Sequence, residues 1–366
     1  MPLEPTVTFT GLFSSSYEIS LVRKIAEGGM GSLYEAVLHG PRGFSKTVAL
    51  KTILESYSND EQFVDQFIGE AKLVADLVHQ NICQVYHLGM VGQRYFIAME
   101  YIGGVNLRQL MDRHRDKAMR LPPELGTFII SRVCRGLEYA HGKRDRRGEL
   151  IGVVHRDISP GNIMISTEGE VKLTDFGVAK ARNLMRHLQE GQVRVGKLAY
   201  MSPEQARFEP TDARSDLFSL GVVMYELLTG HKPFAAETSE ETQRNLQEKE
   251  IPPPRTLNPD IPEGVERILL KALERDLERR YESAGEMGYD LEYEIYHKGY
   301  GPTIVVLEKH LRKLFPELFI QGERRQAQHM PGTSGFFDLD LVEKTEADPQ
   351  ETTGPTVVAR RRPPRR

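Results

Sequence analysis

Asp157 and Asp175 stand eighteen residues apart, in His155-Arg156-Asp157-Ile158-Ser159-Pro160-Gly161-Asn162 and in Asp175-Phe176-Gly177. A carboxylate close to a carboxamide, followed by a second carboxylate, suits transfer of a phosphoryl group to a hydroxyl. That reaction needs one carboxylate to orient the acceptor and take its proton, hard oxygen ligands for magnesium, and cations on the phosphates. Asp157, Asn162 and Asp175 can supply the first two requirements. The cations must come from elsewhere.

One candidate is Lys51, which ends the apolar run Val48-Ala49-Leu50. A buried ammonium is costly unless paired. Glu70 lies on the apolar stripe of a helix expected over 60–78, with Phe63, Phe67, Val74 and Leu77. A carboxylate on such a face needs a cation, so Glu70 is expected to meet Lys51. Upstream, Lys24-Ile25-Ala26-Glu27-Gly28-Gly29-Met30-Gly31-Ser32-Leu33 is rich in glycine. Without Cβ atoms, backbone N–H groups can approach phosphate closely. Alone, such a cluster more often marks a plain hairpin turn.

Taken together, these segments resemble the protein kinase family over roughly residues 17–292, and within it the bacterial (eukaryotic-like) serine/threonine protein kinases. The resemblance implies an α+β, two-lobed fold, with a small β-rich lobe over 17–102 and a larger helical lobe over 103–292. It implies ATP and Mg2+ as cofactors and proteins as substrates. Ala26, Glu27, Gly28, Gly29, Met30 and Gly31 would cover the phosphates, with Ala26 in place of the usual first glycine. Leu33, where valine is usual, and Ala49 would hold the adenine from above, and Met164 from below. Ala98-Met99-Glu100-Tyr101 would be the hinge, with Met99 gating the pocket behind it. Lys51 would hold the α- and β-phosphates, steadied by Glu70. Asp157 would be the catalytic base, Asn162 and Asp175 the magnesium ligands, and His155 and Phe176 packing residues. Glu204, expected to pair with Arg280, and Asp216, expected to cap the catalytic loop, would build a shelf for a peptide.

Two positions depart from the pattern. Ser159 stands where most serine/threonine kinases carry a lysine that touches the transferred phosphate. Lys197, in Gly196-Lys197-Leu198-Ala199-Tyr200, stands where a threonine normally contacts that lysine. A reciprocal exchange is the expectation, with Lys197 returning the charge and Ser159 the hydroxyl. Without compensation, Ser159 would point to a pseudokinase scaffold that binds nucleotide but transfers little. A small-molecule kinase is a third class, but has no use for Glu204, Arg280 and Asp216. From Val178 to Met201 there is no serine or threonine, so activity is expected without phosphorylation of that segment. Glu190 could pair there with Arg156, Arg182, Arg186 or Arg194; a solvated arginine-rich loop is the alternative.

The supporting elements follow from pattern. Strands are expected over 17–25, 32–38 and 46–53, with two more within 82–101, and helices near 123–141, 215–229 and 263–275. Residues 1–16 read as a flexible leader, 293–321 as a helical extension, and 322–366 as a disordered tail. That tail carries Thr333, Thr345, Thr352 and Thr353, so a phosphothreonine-reading partner is conceivable. Lys143 to Leu150 reads as a surface loop. A net charge of -4 gives no field for nucleic acid. No apolar run reaches the roughly 18 residues of a membrane span, and no signal peptide is visible. Cys83 and Cys134 read as buried reduced thiols, which suits a cytoplasmic protein.

Overall fold

The computed structural model describes residues 6–10, 16–28, 31–53, 60–91, 94–176 and 195–320, with only the backbone for a few of them, Glu70 included. The first lobe is a six-stranded antiparallel sheet of β1 (Thr6–Thr10), β2 (Ser16–Glu27), β3 (Gly31–His39), β4 (Ser45–Ile53), β5 (Val85–Val91) and β6 (Arg94–Glu100), in the order β1-β2-β3-β4-β6-β5. The expected leader is therefore corrected: Thr6 to Thr10 pair with Ser20 to Ser16. Thr-Val-Thr-Phe-Thr alternates with period two and is rich in β-branched residues, which favours a strand.

Alternation along the strands sorts this lobe into two faces. Val48 and Leu50 pack with Ile19, Ala36, Phe96 and Ala98 on one side. The other side carries Ala49, Lys51 and Ile53. There Ile53 and Ile97 meet Phe67 and Ala71 of α1 (Glu61–Ala75). Asp60 starts α1 by accepting the Phe63 N–H at 3.2 Å. The helix that carries Glu70 thus packs on the sheet face that carries Lys51.

Beyond the hinge, β7 (Gly104–Asn106) leads into α2 (Leu107–Asp116), opened by an Asn106/Gln109 capping box. Then follow α3 (Pro123–His141), β8 (Ile163–Ser166), β9 (Val171–Leu173), α4 (Ala213–Thr229), α5 (Ser239–Glu248), α6 (Glu263–Ala272), α7 (Ala284–Tyr296) and α8 (Ile304–Leu314). The expected helices are present near their expected bounds. The small β7-β8-β9 sheet was not expected, because strands of three or four residues show no period. The expected lobe boundary at 292 falls inside α7, which runs to Tyr296.

The main core gathers Phe128, Ile129, Val133, Leu137, Leu217, Phe218, Val222 and Leu269 around α3, α4 and α6. The expected extension belongs to this core. Leu307, Leu311, Leu314 and Phe315 are buried in it, and Arg113 of α2 donates to the Leu314 carbonyl at 3.0 Å. His114 Nδ1–H donates to the Leu110 carbonyl at 2.9 Å, so its Nε2 accepts from His310 of α8 at 3.0 Å. Among the described residues, no helix is long and apolar enough to cross a membrane.

Candidate active site

Strand register brings the nucleotide-side residues together. Leu33 sits opposite Lys51 and Ala26, and Ala49 opposite Met99, so Ala26, Leu33, Ala49, Lys51 and Met99 share one face. Gly28 N–H donates to the Gly31 carbonyl at 2.9 Å, which closes the turn. A Cβ on Gly31 would lie 2.1 Å from the Thr52 carbonyl oxygen, so that position has room only for glycine. Gly29 and Met30 lie outside the described residues. Met164 lies on β8 opposite Lys172. The Glu100 side chain turns to Lys172 (2.9 Å) and to the Gln84 N–H (3.2 Å), and its carbonyl faces the Cys83 thiol at 3.6 Å.

Lys51 reaches across to the second lobe, where its Nζ is 2.8 Å from Asp175 Oδ1. Asp175 follows β9 with φ 56, and Arg156 precedes Asp157 with φ 62. Left-handed backbone at a non-glycine residue costs about 1–3 kcal/mol and persists only where its surroundings enforce it. At Arg156 the enforcer is Asp216, 1% exposed, whose two carboxylate oxygens accept the His155 and Arg156 N–H groups at 2.7 Å each. His141 adds a third bond at 2.8 Å. Burial would push the Asp216 carboxyl up, but these donors and the neighbouring imidazoles hold it below the usual range.

The catalytic-loop residues are fixed by the same kind of bonding. His155 Nδ1 accepts the Asp157 N–H at 3.2 Å, which leaves its Nε2–H to donate to the Thr174 carbonyl at 3.0 Å. Its ring packs on Phe176 at 4.6 Å between centroids. One histidine thus ties the segment bearing Asp157 to the segment bearing Asp175. Asn162 Nδ2 donates to the Asp157 carbonyl (2.7 Å) and Oδ2 (3.2 Å). That spends the amide nitrogen on Asp157 and leaves the amide oxygen for a cation. Lys197 Nζ lies 2.7 Å from Asp157 Oδ1. Ser159, Asp157 and Lys197 line one small pocket.

The structure therefore brings Lys51, Asp157, Asn162, Asp175 and Lys197 together. The Glu70 side chain lies outside the described residues, as do Glu190, Arg182, Arg186 and Arg194. A magnesium ion fits this donor set. Asp175 and Asn162 offer hard oxygens of the kind magnesium takes, and phosphate and water would complete its coordination.

Beside the site, Glu204 and Arg280, each 3% exposed, pair at 2.7 and 3.3 Å. Ser215 also donates to Glu204 at 2.8 Å. Burial pushes the Glu204 carboxyl up, and the Arg280 hydrogen bonds and charge overcome it to hold the group low.

Sequence reasoning missed a second network. Arg108 of α2 binds both Glu226 oxygens at 2.8 and 3.0 Å, and the Tyr200 hydroxyl bonds to Glu226 and Arg108. Burial and the Glu226 charge push the Tyr200 hydroxyl well up. A carboxylate inside the apolar run Val222 to Leu228 was the available signal. Lys143 to Leu150 forms a small hairpin with Arg144 bridged to Leu150, and Lys143 Nζ donates to the Asp76 carbonyl at 2.7 Å.

Known proteins resemble this chain in sequence and in fold. Residues 19–287 match the family model described as the protein kinase domain. The chain is 41% identical to the tyrosine-protein kinase MasK of Myxococcus xanthus, over 72% of this chain and 41% of that one. It is 33% identical to the serine/threonine-protein kinase PknL of Mycobacterium tuberculosis, over 87% of this chain and 72% of that one. The crystal structure of a point mutant of the Mycobacterium tuberculosis PknI kinase domain superposes with TM-score 0.57 at 26% identity, covering 80% of this chain and 98% of that one. The chain spans about two fifths of the length of several curated relatives it matches.

Proposed function

The chain belongs to the protein kinase family, and from that premise we propose that it transfers the γ-phosphate of ATP to serine or threonine hydroxyls of protein substrates. The observation that carries this reading is the Lys51–Asp175 contact across the cleft, beside Asp157 held by Asn162. Asp157 would orient the acceptor hydroxyl and take its proton. Lys51 would bind nucleotide phosphates, and Asp175 and Asn162 would hold Mg2+. Magnesium, when bound, supplies charge neutralisation on the phosphate oxygens.

Lys197 is proposed to supply the cation that Ser159 lacks, and its position on Asp157 supports this role. The scaffold reading that Ser159 opened finds no support, since the relatives are named as kinases. The buried Glu204–Arg280 pair and the Asp216 cap support a peptide acceptor over a small molecule. Activity without phosphorylation of 178–201 is part of the proposal. Tyr200, the hydroxyl nearest the end of that segment, is engaged by Glu226 and Arg108.

A cytoplasmic location is proposed on the free, buried Cys83 and Cys134, with burial pushing the Cys83 thiol up to about 12. A phosphothreonine-reading partner for the C-terminal threonines is also proposed; those residues lie outside the described ones. Phosphosite mapping after autophosphorylation tests that point.

The name of the Myxococcus relative favours a second acceptor, tyrosine. Radiolabelled transfer from ATP with magnesium, followed by phosphoamino-acid analysis, separates the two. Label on serine or threonine, lost in Asp157→Asn, is the expected result. Label on tyrosine alone would move the specificity, and no transfer at all would remove the proposal.

A further inference from the structure

Two adjacent residues at the end of β6 are fastened to opposite lobes. Glu100 reaches into the second lobe, where its carboxylate lies 2.9 Å from Lys172 Nζ of β9. Lys172 is 9% exposed, and a buried ammonium needs such a partner. Tyr101 turns instead to the first lobe. Its hydroxyl donates to Glu35 Oε2 at 3.1 Å and accepts from Arg23 Nη2 at 3.3 Å. Arg23 Nε closes the ring by donating to the same Glu35 oxygen at 2.7 Å.

This cluster sits on the sheet face that carries the nucleotide-side residues. Arg23 is paired with Glu35, and Glu35 with Ala49. Directly paired residues carry their side chains on one face. Glu35 is also two residues beyond Leu33, so it extends the row that Leu33 and Ala49 begin. It is 3% exposed. A carboxylate buried so deeply is costly unless donors surround it, and a face that had only to cover an apolar ring would be better served by an apolar side chain. Glu35 instead takes one donor from the neighbouring strand and one from Tyr101.

We propose, on the reading of this cleft as an ATP site, that Glu35 and Arg23 are positioning residues. They hold the Tyr101 hydroxyl and so fix the backbone of 98–101 at the height where it meets the adenine edge. Glu100 and Lys172 hold the same backbone from below, which gives it one anchor in each lobe. With the upper anchor gone, the roof formed by Leu33 and Ala49 is free to lift away from the base. The phosphate groups, held at Lys51, lie outside this contact.

Calorimetric titrations of the full chain test the role, with adenosine, with a non-hydrolysable ATP analogue and magnesium, and with magnesium tripolyphosphate. Tyr101→Phe removes one hydroxyl and leaves the Arg23–Glu35 pair in place. It is expected to weaken adenosine and the ATP analogue alike, by about five- to tenfold, the worth of one modest hydrogen bond. Tripolyphosphate, which has no base, should bind as before. In a Glu35→Leu background the hydroxyl has already lost its acceptor, so adding Tyr101→Phe should cost less than about twofold. Unchanged adenosine affinity in Tyr101→Phe would overturn the role and leave the cleft an ATP site. So would an equal loss for tripolyphosphate, which would assign the hydroxyl to folding of the lobe, or the full loss in the Glu35→Leu background. Failure of the wild type to bind adenosine or the ATP analogue would overturn that reading of the cleft and this role with it.

Discussion

Two kinds of cation–carboxylate pair flank the same loop, and their surroundings differ. Glu204 and Arg280 have side chains 4% and 0% exposed, and Arg280 also donates to the Glu274 and Arg214 carbonyls. Lys51 with Asp175, and Lys197 with Asp157, keep solvent access, with the two lysines 17% and 37% exposed. A pair sealed from water cannot exchange its partner without leaving a buried charge. A pair open to a cleft can give up its partner to an incoming phosphate or metal. The sealed pair suits a role in the frame, and the open pairs suit the chemistry proposed for them.

That contrast breaks if substitutions on the two sides have similar consequences. Lys51→Met should lower kcat/KM about a thousandfold, roughly 4 kcal/mol of transition-state stabilisation, while urea unfolding stays near wild type. Arg280→Met should do the reverse, costing about 3–5 kcal/mol in urea unfolding by stranding Glu204. Its pH dependence has a definite sign. Because Glu204 is held below its ordinary 4.5, the pair's contribution is complete above that value and is lost as pH falls through the lowered one. The variant should lack this acid slope. Lys197→Ala should lower kcat about ten- to a hundredfold, and Ser159→Lys with Lys197→Thr should restore it. A silent Lys197→Ala would remove the exchange from the account.

The smallest effect concerns the α8 contact. Burial, then His114, then Lys313 lower His310 to about 4 from 6.5. Docking of α8 is therefore complete above pH 6.5 and weakens as pH falls toward 4, because the undocked imidazole takes up its proton first. Melting temperatures of wild type and His310→Gln across that range should converge at the acid end. Parallel curves would contradict it.

Much of the site was legible because its residues violate local pattern. Lys51 in an apolar strand demands a partner, but the pattern assigned it Glu70, whose side chain lies outside the described residues, and the partner observed is Asp175. The Asp216 cap followed from the family resemblance and is present. The same rule applied to Glu226 would have found Arg108 and Tyr200. What could not be read was distance. His141 meets Asp216 from 75 residues away. The left-handed backbone at Arg156 and Asp175 carries no residue signature, since neither is glycine. The strand Thr6–Thr10 was legible in its alternation but was outweighed by the nearby prolines and serines.

The account rests on Asp175 and Asn162 offering oxygens to one metal-bound nucleotide beside Asp157. Crystals grown with Mn2+ and a non-hydrolysable ATP analogue test this most directly, because anomalous scattering locates the metal. The account predicts a manganese peak bonded to the Asp175 carboxylate, with Asn162 as a further ligand and phosphates reaching Lys51. A peak elsewhere, or nucleotide bound with Asp175 and Lys51 both apart from it, would contradict it.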